Sequence, residues 1–134
     1  MGSIEKRMKA SERRRFHRID FEEDVFIDFS DNTSDSCKVK NISLGGMFVL
    51  GRPPQKYTEN CEIRFFHNPK LKEPRLRASA KVAWSNEEGV GIQFTSMSYD
   101  SYMALLATLL NKAEQPSVIL REFPKTCPFE ITSD

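Results

Sequence analysis

Cysteine and histidine are scarce in this chain of 134 residues, and their spacing excludes a zinc site built from them. The three cysteines, Cys37, Cys61 and Cys127, are far apart, and the chain has neither a CxxC pair nor a cluster of cysteine with histidine. An odd number of widely spaced cysteines also argues against a disulfide framework. We therefore expect a reduced, cytoplasmic protein that has no metal and no cofactor.

Long apolar runs and catalytic groupings are also missing. No apolar stretch approaches the roughly 20 residues that a membrane-spanning helix needs, and no signal-peptide pattern opens the chain. We therefore expect no direct membrane insertion. No nucleophile with a neighbouring base and no paired carboxylates occur at a useful spacing, so we predict no enzymatic activity and no catalytic residues.

The charge is small in total but unevenly distributed. Residues 1–18 contain seven lysines and arginines against two glutamates, a net charge of +5, which leaves −4 for the remainder of a chain whose total is +1. Four of the arginines lie within six residues, in Arg13-Arg14-Arg15-Phe16-His17-Arg18. Guanidinium groups are planar and forked, so each can pair with phosphate oxygens through two hydrogen bonds. A solvated basic tail and a clamp for a local anionic ligand are both compatible with this run.

Hydrophobic periodicity predicts a mainly β fold. Short apolar or alternating runs predict six strands, and Tyr99 to Ala113 then changes to the three- and four-residue spacing of a helix, with Ser98 as its cap and Pro116 ending it. We predict a small six-stranded antiparallel β-barrel with a C-terminal α-helix packed on it. The predicted strands are residues 25–29, 37–41, 47–50, 61–66, 76–84 and 90–94.

The predicted boundaries are a flexible basic N-terminal arm over residues 1–12, a domain over 13–114 and a C-terminal tail over 115–134. The tail has two apolar patches and could dock on the body or on a partner. Strand alternation places Asn41 on the same face as Val39, and Trp84 on the same face as Val82. This parity favours core packing for Trp84.

A second polar motif follows the second predicted strand, in Asn41-Ile42-Ser43-Leu44-Gly45-Gly46. Asn41 offers an amide and Ser43 a hydroxyl, both of which suit the edge of a base. Gly45 and Gly46 can adopt positive φ and allow a flat ligand to lie against the backbone. The two motifs together suit a ligand that has both phosphates and bases.

In these motifs the chain resembles the PilZ family, which binds the bacterial second messenger cyclic di-GMP. The family's signatures are RxxxR, found here from Arg14 to Arg18, and [D/N]xSxxG, found here from Asn41 to Gly46. The resemblance covers about residues 12–112. It implies that Arg14 and Arg18 grip phosphates and stack on guanine, and that Asn41 and Ser43 read a guanine edge, while Gly45 and Gly46 complete the turn.

The resemblance also bears on ligand number and on secondary contacts. In PilZ domains an arginine just before RxxxR favours an intercalated ligand dimer, so Arg13 predicts two cyclic di-GMP molecules per chain. Arg15, His17 and Trp84 are secondary candidates for ligand contact. We expect a monomer or weak homodimer that acts on an unidentified downstream protein, with no DNA or RNA as partner.

These inferences define a non-enzymatic cyclic di-GMP receptor and adaptor in which the ligand orders the N-terminal arm and changes the surface shown to a partner. One alternative is a PilZ-like interaction module of motility or pilus machinery that does not bind the nucleotide. Another is single-stranded nucleic-acid binding on the barrel, which requires aromatic residues on an outer face. Most aromatic residues here have inward parity, which argues against it.

Overall fold

The computed structural model describes residues 18–29, 33–51, 60–66, 74–122 and 127–132. These residues form eight strands and two helices. The strands are β1 (Ile19–Asp20), β2 (Asp24–Phe29), β3 (Ser34–Ile42), β4 (Gly46–Leu50), β5 (Asn60–Phe65), β6 (Leu76–Ser85), β7 (Gly89–Ser98) and β8 (Glu130–Thr132), and the helices are α1 (Tyr99–Lys112) and α2 (Pro116–Glu122).

Six of the strands close into an antiparallel barrel, which confirms the predicted fold class. The strands are hydrogen-bonded in the order β3-β2-β5-β6-β7-β4, and β4 pairs again with β3 to complete the circle. The two remaining strands lie outside this circle, with β1 antiparallel to β3 and β8 parallel to β7. Closure removes the exposed edges that an open sheet of these strands would have.

The barrel core follows from the alternation of strand residues. Val25, Ile27 and Phe29 are buried in β2, while the residues between them are only partly covered. Helix α1 covers the barrel with the face that contains Leu105 and Leu109. Its first turn is capped because the Ser98 hydroxyl accepts a hydrogen bond from the Ser101 amide at 3.1 Å.

The C-terminal tail packs on the body of the domain. The prediction that Pro116 ends the helix was wrong, because α1 ends at Lys112 and Pro116 begins α2. Proline suits the first position of a helix, where its missing N–H is not needed. Ile119 of α2 is fully buried, and the Phe129 ring meets the Tyr102 ring edge-on at 5.3 Å.

Register shifts in β3 and β6 change which of their residues face the core. Val39 of β3 lies opposite Val49, but Asn41 lies opposite Phe48, so that two residues of β3 match one of β4. In the same way Val82 of β6 lies opposite Ile92, whereas Trp84 lies opposite Gly91. Each shift reverses the alternation, as a β-bulge does. The expectation that Asn41 and Trp84 share a face with core residues was therefore wrong.

Candidate functional site

Asn41 and Trp84 belong to one row of residues that crosses four strands of the barrel. Asn41 is paired with Phe48, Phe48 with Gly91, and Gly91 with Trp84. Asp20 of β1 extends the row, because it lies opposite Asn41. Asn41, Phe48 and Trp84 are all outside the cluster of core side chains. The two bulges thus turn the Asn41 amide and the Trp84 indole to the outer face of the barrel, where the indole stacks on Phe48, which is itself only 4% exposed.

Arg18 links the N-terminal motif to this row. Its Nη1 atom donates a hydrogen bond to Asn41 Oδ1 at 3.3 Å, although the residues are 23 positions apart in the chain. Both side chains are partly buried. The pairing of β1 with β3, with Ile19 opposite Ile42, explains this proximity because it holds the segment after Arg18 against the end of β3. The last arginine of RxxxR and the first residue of NxSxxG therefore form one polar site.

The turn that follows Asn41 is closed by its own hydrogen bonds. The Ser43 amide donates to Gly46 O at 2.8 Å, and the Gly45 amide donates to Ser43 Oγ at 3.2 Å. The Ser43 side chain is buried, and its hydroxyl also lies 3.5 Å from Gly46 O. In this structure Ser43 shapes the turn that carries Asn41 at its start.

Gly46 is required for close approach of two strands. A β-carbon at this position would lie 2.0 Å from the carbonyl oxygen of Ile92 on β7. The expectation of positive φ at Gly45 or Gly46 was wrong, since Gly51 is the only glycine with positive φ in the part of the chain that the structure describes. What matters at Gly46 is the missing side chain, which lets β4 pair with β7 at the base of the turn.

Phe48 and Trp84 form an aromatic shelf beside Asn41. Their ring centroids are 5.2 Å apart and the planes differ by 24°, so the rings are stacked. The indole reaches Phe48 across Gly91, which has no side chain to obstruct it. Phe48 is only 4% exposed, so the shelf offers a ligand the outer face of Trp84, with the Phe48 ring beneath it. The sequence alternation already indicates that the Phe48 side chain points away from the barrel core, since the core residues Met47 and Val49 flank it.

The other predicted site residues lie outside the residues that the structure describes. These are Arg13, Arg14, Arg15 and His17, so the structure does not test their predicted roles. Of the predicted set it brings together Arg18, Asn41 and the turn from Ser43 to Gly46. Trp84 lies in the same lateral row as Asn41.

A second polar and aromatic cluster lies on β2 and β5. Arg64 Nε donates to Asp28 Oδ2 at 2.6 Å, and the Arg64 guanidinium lies 5.3 Å from the Phe26 ring centroid and 5.8 Å from that of Phe66. Burial raises the pKa of Asp28, but hydrogen bonds from Arg64 and Ser34 outweigh it and lower the pKa overall. The ion pair fixes the Arg64 side chain between two rings, so the cluster has a structural role.

The surroundings of Cys37 and Cys61 disfavour ionisation of their thiols. Burial, together with the negative charge of Asp35, raises the pKa of Cys37 to about 11. Burial and the negative charge of Glu62 raise the pKa of Cys61 to the same value, about 11. Both thiols are therefore protonated at neutral pH and pack as small apolar groups.

Two further findings concern metals and membranes. Within the described ranges no group of three or more histidine, cysteine, aspartate or glutamate side chains could hold a metal ion. Neither α1 nor α2 is long and apolar enough to cross a bilayer.

Comparison with known proteins identifies the fold. It matches the PilZ domain of CeSA from a cellulose-synthesizing bacterium (TM-score 0.56, 16% identity, 71% of this chain and 96% of that chain). It also matches the PilZ domain of YcgR from Escherichia coli, solved with c-di-GMP (TM-score 0.53, 17% identity, 82% and 93%). A third match is the Borreliella burgdorferi PlzA protein in complex with c-di-GMP (TM-score 0.51, 19% identity, 74% and 42%).

No curated protein matches the sequence. The identities to the solved structures are low, so these similarities show a shared fold. The family model for the PilZ domain, in contrast, matches residues 12–112, a range that contains both arginine and asparagine motifs. With the closed barrel and the Arg18–Asn41 contact, this match means that the chain belongs to the PilZ domain family.

Proposed function

We propose that this protein is a non-enzymatic receptor for cyclic di-GMP and acts as an adaptor. The observation that carries the proposal is the hydrogen bond from Arg18 to Asn41, which joins the two family motifs at one point of the outer barrel surface. The guanidinium can bind a phosphate group, and the amide next to it can bind the edge of a base, so one small site can recognise both parts of a nucleotide. The ligand that combines these chemistries in this family is a cyclic dinucleotide.

In the proposed complex Arg14 and Arg18 bind phosphate oxygens. Asn41 Oδ1 already accepts a hydrogen bond from Arg18, so its amide nitrogen is the group suited to a guanine acceptor. Ser43 shapes the turn and supplies its hydroxyl near the same edge. Gly45 and Gly46 let the backbone approach the ligand, and Arg15 and His17 are further candidates for contact.

The partly exposed indole of Trp84, held in place by the buried Phe48 ring beneath it, supports a stacking role. Asn41 and Trp84 are separated by three strand spacings, a distance of about 14 Å for a flat sheet. A ligand with two bases and two phosphates can use both ends of this row, whereas a mononucleotide cannot. Stacking of a base on an aromatic ring contributes roughly 1–3 kcal/mol.

Arg13 precedes the motif, and we propose that it favours two ligand molecules per chain. Two stacked ligand molecules need guanidinium groups on both sides of the stacked bases. The arginine run supplies more than one such group. A calorimetric titration tests this directly, with two molecules per chain expected for the parent protein. One molecule per chain would contradict the role of Arg13 and leave the receptor function intact.

Ligand binding would order the arm over the barrel and create a new surface for a downstream protein. The motivation is that residues 1–17 hold six of the basic side chains and have no apolar pattern of their own. Amide exchange of residues 5–18 should slow on addition of cyclic di-GMP. Unchanged exchange at saturating ligand would refute the ordering step.

The function itself is tested by titration of the purified protein with cyclic di-GMP, GTP and cyclic AMP. We expect saturable binding of cyclic di-GMP and much weaker binding of the two mononucleotides. No binding of cyclic di-GMP would refute the proposal and favour a PilZ-like interaction module that does not use the nucleotide.

A further inference from the structure

Lys40 and Glu88 border the proposed ligand site, and neither belongs to the family motifs. Lys40 is the extra residue in the β3 bulge, directly before Asn41. Its Nζ atom lies 6.0 Å from the centroid of the Phe48 ring, the buried member of the aromatic shelf on which Trp84 stacks. The bulge therefore places a lysine at the rim of the surface on which the proposed ligand stacks.

Glu88 holds this lysine in the structure. Lys40 Nζ and Glu88 Oε2 are 2.7 Å apart, and the two side chains are 48% and 52% exposed. Exposed ion pairs contribute little to stability, about 0–1 kcal/mol, because water screens both charges. A phosphate group can therefore replace the carboxylate as the partner of Lys40 at small cost.

The backbone at Glu88 is fixed, so its negative charge stays near the shelf. The Asn86 side chain accepts hydrogen bonds from the amides of Glu88 at 2.8 Å and Gly89 at 3.0 Å. The Gly51 amide donates to the Glu88 carbonyl at 3.0 Å. This turn is the connection between β6 and β7, the strands that carry Trp84 and Gly91.

We infer that Lys40 is an additional phosphate-binding residue of the site and that Glu88 competes with the ligand for it. The inference rests on the proposed cyclic di-GMP function. In the free protein Lys40 forms an ion pair with Glu88, and in the complex a ligand phosphate replaces Glu88 as the partner of Lys40. Glu88 thus lowers the affinity of the receptor and sets the ligand concentration at which it responds.

Two substitutions separate these roles. Lys40→Met should weaken cyclic di-GMP binding by about fivefold to tenfold, because a hydrogen bond to a charged group is lost. Glu88→Gln should tighten binding by about threefold, since it removes a competing charge. Lys38→Met and Glu87→Gln are matched controls, as they make the same charge changes at nearby exposed positions of β3 and of the β6–β7 turn.

The experiment is a calorimetric titration of the full chain and these four variants with cyclic di-GMP at low and high salt. We expect both controls to bind like the parent, and Lys40→Met to show a smaller dependence on salt. Equal affinity of Lys40→Met and Lys38→Met would refute the inference and leave the receptor function standing. A parent protein that does not bind cyclic di-GMP refutes both.

Discussion

Gly91 lies directly beneath the indole ring of Trp84, so that a β-carbon at position 91 would come within 2.3 Å of Trp84 Nε1. The glycine allows the ring to lie flat across β7 and to stack on Phe48. The geometry of the aromatic shelf therefore depends on one residue that has no side chain to contribute to it.

Gly91→Ala should displace the Trp84 ring from Phe48. We expect a loss of stability of about 1 kcal/mol, close to the value of an aromatic pair, measured by urea unfolding. In a Trp84→Ala background the same substitution should cost less, because the clashing ring is gone. Gly46→Ala is a useful contrast, since its β-carbon would meet the Ile92 backbone oxygen at 2.0 Å and cannot be relieved by a side-chain rotation. Equal costs of Gly91→Ala in the two backgrounds would contradict the proposed contact.

Trp84 is the only tryptophan of the chain, so tryptophan fluorescence, excited at a wavelength where the three tyrosines do not absorb, reports on the shelf alone. If a guanine base stacks there, addition of cyclic di-GMP should change the emission in a saturable manner, and GTP should have little effect. Trp84→Phe serves as the control because it retains a ring and removes the signal. Binding by calorimetry without any change in emission would show that the ligand does not contact Trp84.

Arg18→Ala and Arg14→Ala should each weaken cyclic di-GMP binding by at least about 2 kcal/mol, roughly thirtyfold, because each removes charge-assisted hydrogen bonds to phosphate. Arg121→Ala, an exposed arginine on α2, is the matched control and should bind like the parent. Titration calorimetry measures the effect, and thermal unfolding shows whether each variant is folded. A folded variant with unchanged affinity would remove that arginine from the site.

The ion pair of Asp28 with Arg64 predicts a pH-dependent contribution to stability. Both side chains are only 29% exposed, and the pKa of Asp28 is lower in the folded protein than in the unfolded chain. The contribution is therefore fully present above the unfolded pKa of about 3.9 and is lost as the pH falls through the lower folded value. Asp28→Asn should cost about 1 kcal/mol at pH 7 and progressively less in acid. Urea unfolding of parent and variant over pH 2–7 tests this, and a constant difference would contradict it.

The three cysteines should differ in reactivity. At pH 8 the thiols of Cys37 and Cys61, with pKa values of about 11, have only about 0.1% of the thiolate form that reacts. Cys127 is exposed and should be alkylated first by iodoacetamide, as measured by mass spectrometry. In denaturant all three should react, which is the control for accessibility. Faster modification of Cys61 than of Cys127 in the folded protein would contradict this order.

Much of the fold was predictable because local periodicity dominates it. The alternation in β2 and the helical spacing from Tyr99 reflect which side chains must leave water, and these elements formed as predicted. The packing of the tail was left open, since the burial of Ile119 and Phe129 depends on partners far away in the chain. Proline at 116 is compatible with ending one helix or starting another, and only packing decides between the two.

The candidate site divides in the same way. The sequence by itself determined which functional groups are present, because the guanidinium, amide and hydroxyl groups of the two motifs suit phosphates and bases wherever they lie. Only the tertiary structure decided which residues share a surface. A strand alternates strictly until one extra residue is inserted, and the bulges before Asn41 and Trp84 depend on pairing with β4 and β7. Simple parity therefore assigned both side chains to the core, and the closed barrel turned them outward beside Arg18 and Phe48.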